Sequence, residues 1–86
     1  MSDEQDRIRT LIDEHNDWPS PFLFKFIVPA GQLGELRDRL KDFELHQRSS
    51  RNGNYTSVSL RPLMESSDAV LAIYERVVDL DGIIRL

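Results

Sequence analysis

Residues 43–63, FELHQRSSRNGNYTSVSLRPL, decide the fold of this chain. Two runs of alternating apolar and polar residues flank Asn52 and Gly53. Asn-Gly in this setting predicts a β-hairpin with a type I′ turn, which needs φ > 0 at both central residues. With these two residues at the centre, Arg48 lies opposite Ser57, and the hairpin has one apolar and one polar face. The apolar face carries Phe43, Leu45, Val58 and Leu60, and the polar face carries Glu44, His46, Arg48, Ser50, Tyr55, Ser57, Ser59 and Arg61.

The residues before the hairpin predict a central strand followed by a helix. Residues 22–28 alternate, and so dense an aromatic run is typical of a strand in the middle of a sheet. Leu33, Leu36 and Leu40 have the spacing of a helix. The core side of the strand carries Phe22, Phe24, Phe26 and Val28, and the other side carries Leu23, Lys25 and Ile27.

Both ends of the chain add further elements. Residues 4–15 predict a helix that ends before Pro19 and Pro21, since residues that precede proline favour extended geometry. After the hairpin, Ser66 or Ser67 caps another helix, which is broken at Asp81-Gly82, and residues 83–86 form a last strand. The apolar stripe of the first helix is Ile8, Leu11, Ile12 and His15, and that of the last is Val70, Ile73, Tyr74 and Val77.

The order of these elements predicts an α+β, ferredoxin-like βαββαβ fold. It consists of one four-stranded antiparallel sheet with two helices on one face, plus a short N-terminal helix. The other face of the sheet is open and carries Leu23, Ile27, Tyr55 and Ile83. An apolar patch of this kind needs a cover, either the N-terminal helix or another molecule. The short, proline-stiffened link favours self-association or a foreign partner.

The charge of the chain is concentrated near its N-terminus. The 86 residues have a net charge of −4, and residues 1–17 carry six acids and two bases, whereas residues 18–86 carry nine of each sign. We therefore expect an acidic N-terminal segment, residues 1–17, on one neutral domain, residues 18–86. The chain has no cysteine, no long apolar run and no signal-peptide pattern. These absences favour a cytoplasmic protein that does not span a membrane.

Three segments carry a resemblance to a known family: Trp18-Pro19-Ser20-Pro21-Phe22, residues 49–59, and Ile73-Tyr74-Glu75. From Trp18 to Leu86 the chain resembles the YbeD-like family of small bacterial proteins of unknown function. It carries one extra residue in the hairpin turn, with Asn52 before Gly53. The resemblance implies a ferredoxin-like fold similar to the ACT regulatory domains, and it implies no established reaction.

The polar face of the hairpin is the candidate binding surface. Its hydroxyls, backbone N–H groups and basic side chains suit an anion or a peptide. The alternative interpretation is that Gly53 only forms the turn and that the serines are solvated strand residues. The candidate residues are Lys25, Arg48, Ser49, Ser50, Arg51, Gly53, Tyr55, Ser57 and Arg61.

Other site chemistries match the sequence less well. His15 and His46 lie on separate elements, so no metal site is predicted. Acylphosphatases share this topology but use an arginine in the loop after the first strand, and residues 29–32 contain none. No nucleophile elbow frames a serine, so we predict neither an enzyme nor a cofactor.

The sequence therefore favours a non-enzymatic regulatory or interaction module, ACT-like in architecture. It would bind a protein partner, a second copy of itself or a small metabolite. The alternative is a weak RNA-binding module that uses the open sheet face. RNA-binding modules of this topology stack bases on two or more aromatic side chains, and here only Tyr55 is available, so nucleic acid is not the expected partner.

Overall fold

The described chain contains three α-helices, one 3-10 turn and six short strands. The computed structural model describes residues 3–86, apart from the side chains of residues 3, 5 and 15. The elements are α1 (Asp3–His15), β1 (Ser20–Pro21), β2 (Phe24–Pro29), a 3-10 turn (Ala30–Gln32), α2 (Leu33–Arg39), β3 (His46–Ser49), β4 (Tyr55–Leu60), β5 (Leu63–Met64), α3 (Ser67–Glu75) and β6 (Ile84–Arg85). Residues 3–86 thus form an α+β fold with three α-helices and two antiparallel sheets, which confirms the predicted class. No helix within that range is long and apolar enough to cross a membrane.

The hairpin of β3 and β4 has the register that the Asn-Gly signal predicts. Arg48 pairs with Ser57, and His46 pairs with Ser59. Leu60 is only 1% exposed, so the apolar face of the hairpin is turned toward the core. A slip of one residue would have exchanged the two faces, because side chains alternate along a strand. The predicted facing of the hairpin is therefore confirmed.

The turn at the tip is not the predicted type I′ turn. Gly53 has a φ of +75°, but no non-glycine residue in the described chain has a positive φ, so Asn52 does not meet the requirement. Residues 51–54 form a wider loop, closed by a 2.8 Å hydrogen bond from Ser50 N to Tyr55 O. The Oδ1 atom of Asn52 accepts hydrogen bonds from Ser50 Oγ and from the backbone N–H two residues on. These side-chain hydrogen bonds stabilise the wider loop in place of the two-residue turn, and the register of β3 and β4 is unchanged.

Four strands form one sheet in the order β3-β4-β2-β6. The central strand β2 pairs with β4 along its whole length, beginning with Phe24 opposite Leu60. On its other side β2 pairs with β6, where Ile27 lies opposite Ile84. The aromatic strand is therefore central, as its composition predicts.

The core lies between this sheet and the helices α2 and α3. Alternate side chains of β2 and β4 point toward the helices and are buried. Tyr74 of α3 meets the ring of Phe24 edge-on at 5.2 Å between centroids, and burial raises the pKa of Tyr74. The buried apolar cluster consists of Phe24, Phe26, Val28, Leu36, Leu40, Val58, Leu60, Met64, Val70, Ile73 and Val77.

A second sheet of two short strands lies beside the first and is not part of the predicted fold. Ser20 of β1 pairs with Met64 of β5. The pairing continues outside the strands, where Phe22 N donates a 3.0 Å hydrogen bond to Pro62 O. The prolines of this region hold the chain extended, and the pairing uses backbone groups that would otherwise have only water as a partner.

The C-terminal part differs from the prediction in two details. The cap of α3 is Ser66, whose Oγ accepts a 3.1 Å hydrogen bond from Ala69 N, but the helix ends at Glu75, before the predicted break at Asp81-Gly82. Ile84, not Ile83, lies on the open side of the sheet. Ile84 is 52% exposed, whereas the side chain of its neighbour packs against the core. The pairing of β6 with β2 sets this facing, and the sequence of so short a strand does not reveal it.

The predicted N-terminal helix is present, but it does not cover the open face. α1 packs against α3, on the helix side of the molecule. Arg9 Nε lies 2.8 Å from Asp68 Oδ1, and Ile12 and Trp18 pack against the core cluster. The hypothesis that this helix covers the open face is therefore wrong. The side chain of His15, a member of the predicted stripe, lies outside the described part of the chain.

Candidate functional site

The side of the four-stranded sheet that faces away from α2 and α3 is here called the open face. Directly paired residues of neighbouring antiparallel strands point to the same face, so the pairings arrange its side chains in rows. In order across the sheet, one row is Arg48, Ser57, Ile27 and Ile84, and the next is His46, Ser59 and Lys25.

Six of the nine candidate residues meet in one depression of the open face, beside the hairpin loop. Its volume is about 260 Å³. Three strands supply the lining, because each contributes side chains at the same level of the sheet. The lining residues are Lys25, Ile27, Arg48, Ser49, Ser50, Tyr55 and Ser57.

A second depression continues the first along β4 and has a volume of about 280 Å³. The two share Lys25, Arg48 and Ser57, so they form one continuous feature, which is here called the trough. The small serines of β4 keep its middle low, while longer side chains of β3 and β2 rise on both sides. The second depression is lined by Leu23, Lys25, His46, Gln47, Arg48, Ser57 and Ser59.

Three candidate residues do not line the trough. Arg51 and Gly53 lie in the exposed hairpin loop. Arg61 lines a neighbouring depression of about 220 Å³, which shares only His46 with the trough. The structure therefore divides the candidate set into a group of six around the trough and three residues outside it.

The trough also contains residues that are not in the candidate set. Leu23, His46 and Ser59 lie on the open face because side chains alternate along a strand. This alternation can be read from the sequence alone. Gln47 has the opposite parity, so the alternation gives no indication of it. Its Oε1 accepts a 3.0 Å hydrogen bond from Arg37 Nη1.

The cations of the trough have a different environment from those of the helix side. There, Arg39 pairs with Glu35 and Asp79, and the hydrogen bond from the guanidinium lowers the pKa of the Asp79 carboxyl. Among the side chains that the structure describes, none of the ion pairs involves Lys25 or Arg48. The trough thus presents two cations whose hydrogen-bonding capacity an anionic ligand can use.

The trough combines cationic, hydroxyl and aliphatic groups. Arg48 and Lys25 can donate to carboxylates or phosphates, and the hydroxyls of Ser57 and Ser59 can donate or accept. In the part of the chain that the structure describes, no group of three or more His, Cys, Asp or Glu side chains is placed to hold a metal ion. The chemistry of these groups suits reversible binding, and the predicted lack of enzyme activity stays a prediction.

The fold and the trough define a small α+β domain with an open, basic sheet face. The chain matches the family described as "Protein of unknown function (DUF493)" over residues 13–85 and belongs to it. This is the YbeD-like family that the sequence resembles, so that prediction is confirmed. No curated protein and no solved structure matches the chain.

Proposed function

We propose that this protein is a non-enzymatic regulatory or interaction module that binds its ligand in the trough of the open face. The observation that carries this proposal is the convergence of Lys25 and Arg48, from two different strands, on the low floor at Ser57. Surface cations that are not engaged in an ion pair attract and orient an anionic partner. The ligand is a protein segment or a small anionic metabolite.

The proposed fold assignment supports a regulatory role. We propose that β2, α2, β3, β4, α3 and β6 form a ferredoxin-like βαββαβ unit, similar to the ACT regulatory domains. The sheet order supports this, because the first and third strands of the unit are central and the second and fourth are at the edges. α1 and the β1–β5 pair are additions to that unit. Fold alone does not imply function, so the trough is the feature that supports the proposed role.

A bacterial cytoplasmic setting is part of the proposal. The sequence contains no cysteine, which suits a compartment where disulfides do not form. RNA is the alternative ligand for the same face. Tyr55 is 47% exposed, but a single aromatic side chain provides one stacking position, whereas RNA-binding sheets use two or three.

A comparison of two charge-reversal variants tests the proposal. Lys25→Glu with Arg48→Glu changes the trough, and Arg7→Glu with Lys41→Glu makes the same change of charge at exposed positions outside it. Each variant and the wild type are immobilised and incubated with extract of the native cell, and retained proteins, metabolites and RNA are identified by mass spectrometry and sequencing. We expect a set of molecules that the wild type and the control variant retain and the trough variant loses.

Identical retention by the trough variant and the wild type would place the binding site elsewhere. Circular dichroism of all three proteins provides the folding control, and it should not change because the substituted side chains are exposed. Retention that is abolished by ribonuclease and falls steeply with salt would favour the RNA alternative, since phosphate contacts release counterions.

A further inference from the structure

The trough has the dimensions of a short helix. Four residue steps along β4, from Tyr55 to Ser59, span about 14 Å at about 3.4 Å per residue. About nine residues of α-helix cover that length, because a helix rises about 1.5 Å per residue. Across the sheet, β3 and β2 lie two strand spacings apart, which is about 10 Å and close to the diameter of a helix with its side chains.

The two sides of the trough differ in chemistry. On the β3 side, Arg48 and His46 are exposed. On the β2 side, Leu23 is 59% exposed, and Lys25 lies between Leu23 and Ile27. Ile84 of β6 is 52% exposed and lies beside Ile27, so the aliphatic strip of Leu23, Ile27 and Ile84 is interrupted by Lys25. An aliphatic strip that contains Lys25 and faces Arg48 across the serines of β4 is complementary to a surface that carries an apolar stripe with carboxylates on both flanks.

We propose that the occupant of the trough is an acidic amphipathic helix of a partner protein. This inference rests on the proposed function and specifies the partner's chemistry. Glutamates or aspartates on the two flanks of the helix pair with Arg48 and Lys25, which take part in no ion pair among the described side chains. The apolar stripe of the helix removes Ile27 and Ile84 from water.

A helix fits this surface better than an extended peptide does. The face of a sheet presents side chains, because the backbone N–H and C=O groups of its inner strands already pair with each other. An extended segment laid on the face would lose water from its own backbone groups without gaining partners, which is unfavourable. A helix satisfies its backbone internally, whereas extended peptides add to sheet edges.

The chain's own acidic helix is engaged elsewhere. Ile12 of α1 packs against the core cluster, and Arg9 pairs with Asp68 of α3. A second copy could place α1 in the trough only after these contacts were broken. RNA is also a poor match, because the exposed aliphatic side chains Leu23 and Ile84 offer bases no stacking surface. Charge and shape therefore favour a helix from a different protein.

A designed helix is the probe for this proposal. It is a fluorescein-labelled, alanine-rich peptide of about 16 residues, long enough to hold some helix in water. Leucines at i, i+3, i+4 and i+7 form its apolar stripe, and glutamates line both flanks. Fluorescence anisotropy measures its affinity for the full-length protein. We expect saturable binding, and we expect the Lys25→Glu, Arg48→Glu variant to bind about tenfold more weakly or worse.

Matched controls separate specific binding from general attraction. The Arg7→Glu, Lys41→Glu variant should bind the peptide within about twofold of the wild type, because these charges lie outside the trough. A peptide with lysine in place of each glutamate should not bind. Ile84→Ser should weaken binding of the acidic peptide, since it removes part of the aliphatic strip, while circular dichroism stays unchanged.

Three outcomes would overturn the proposal: no binding of the acidic peptide to the wild type, equal binding to the trough variant, or tighter binding of an oligouridine RNA in the same assay. The retention experiment distinguishes this failure from failure of the proposed function. If the peptide fails while trough-dependent retention persists, only the helix proposal is wrong. If retention does not depend on the trough, the proposed function is wrong.

Discussion

Two glycines of this chain adopt backbone conformations that other residues rarely take. Gly53 in the hairpin loop has a φ of +75°, and Gly82 before β6 has a φ of +77°. A Cβ atom at Gly53 would meet nothing within 4 Å, whereas one at Gly82 would lie 2.9 Å from Pro29 Cγ. Position 53 therefore favours glycine only because of its positive φ. Position 82 favours glycine both because of its positive φ and because Pro29 of β2 lies close to it.

Substitution of glycine by alanine should have opposite effects at two positions. Gly53→Ala should lower the free energy of unfolding by about 1–2 kcal/mol, the usual cost of a left-handed conformation. Gly34→Ala, in the exposed part of α2 with open space around it, should raise it by about 0.5–1 kcal/mol. Urea denaturation of both variants measures the two effects. An unchanged stability for Gly53→Ala would show that the loop has no need of a positive φ.

Two adjacent residues of β4 should differ sharply in their tolerance to truncation. Leu60 is 1% exposed in the core, and Leu60→Ala should lower the free energy of unfolding by about 2–5 kcal/mol because it leaves a cavity. Ser59 lies on the open face, so Ser59→Ala should change stability by less than about 0.5 kcal/mol. Chemical denaturation checks both values. Equal losses would contradict the facing of the strand.

At the scale of the elements, charged side chains join the ends of α2 and α3. Arg39 bonds to the carboxylate of Asp79 and to the backbone oxygen of Arg76. In return, Arg76 Nη1 donates to Arg39 O, and its guanidinium lies 5.2 Å from the centre of the Phe43 ring. Each helix thus donates to a carbonyl near the end of the other, a place where cations are favoured by the helix dipole.

This contact should make stability depend on pH in acid. The pKa of Asp79 is lowered by the hydrogen bond from Arg39, so the carboxylate is more easily kept ionised in the folded protein. The resulting stabilisation is fully present above the unfolded value near 3.8 and is lost as the pH falls through the lower folded value. As the pH falls below about 4, melting temperatures should fall less steeply for Asp79→Asn than for the wild type.

Asp38→Asn is the matched control for that measurement. Asp38 is an exposed acid of α2 that takes part in no ion pair within the described residues. Its variant should retain the pH dependence of the wild type. If Asp79→Asn and the wild type lose stability in parallel as the pH falls, the contact with Arg39 contributes nothing to the folded state.

At the scale of the whole molecule, the two sides of the sheet are covered differently. The helix side carries α2 and α3 and, outside them, α1, whereas the open face has no further layer within residues 3–86. A domain this small buries only about 60% of the surface of its unfolded chain, so the additional layer of α1 is a significant part of its apolar burial. Loss of the contacts of α1 should therefore lower the free energy of unfolding by a measurable amount.

Two neighbouring residues of α1 test its docking. Ile12 is half-buried against the core cluster, whereas Leu11 is 50% exposed. Ile12→Ser should lower the free energy of unfolding by about 1–2 kcal/mol, and Leu11→Ser by less than about 0.5 kcal/mol. Both introduce the same residue into the same helix and remove side chains of equal size, so their difference reports mainly burial. Thermal denaturation measures both effects. If the two variants lost the same amount of stability, α1 would not be docked in solution.

The local features of this protein can be predicted from its sequence because they depend on short-range periodicity. Alternation with a period of two assigned the faces of β2 and β4, and the Asn-Gly position set the hairpin register. The same alternation predicts that Lys25, Arg48 and Ser57 face one surface of the sheet. Their grouping in the trough follows from pairing of three strands, two of which are adjacent in sequence.

The tertiary structure decided the features that depend on distant contacts. It placed α1 against α3, paired β1 with β5, and turned Ile84 rather than Ile83 to the open face. An amphipathic stripe shows that a helix needs an apolar partner but not which one, and a two-residue strand has too few side chains to show a period. The separation of Arg61 from the trough has the same cause, because position along a strand determines which depression a side chain reaches.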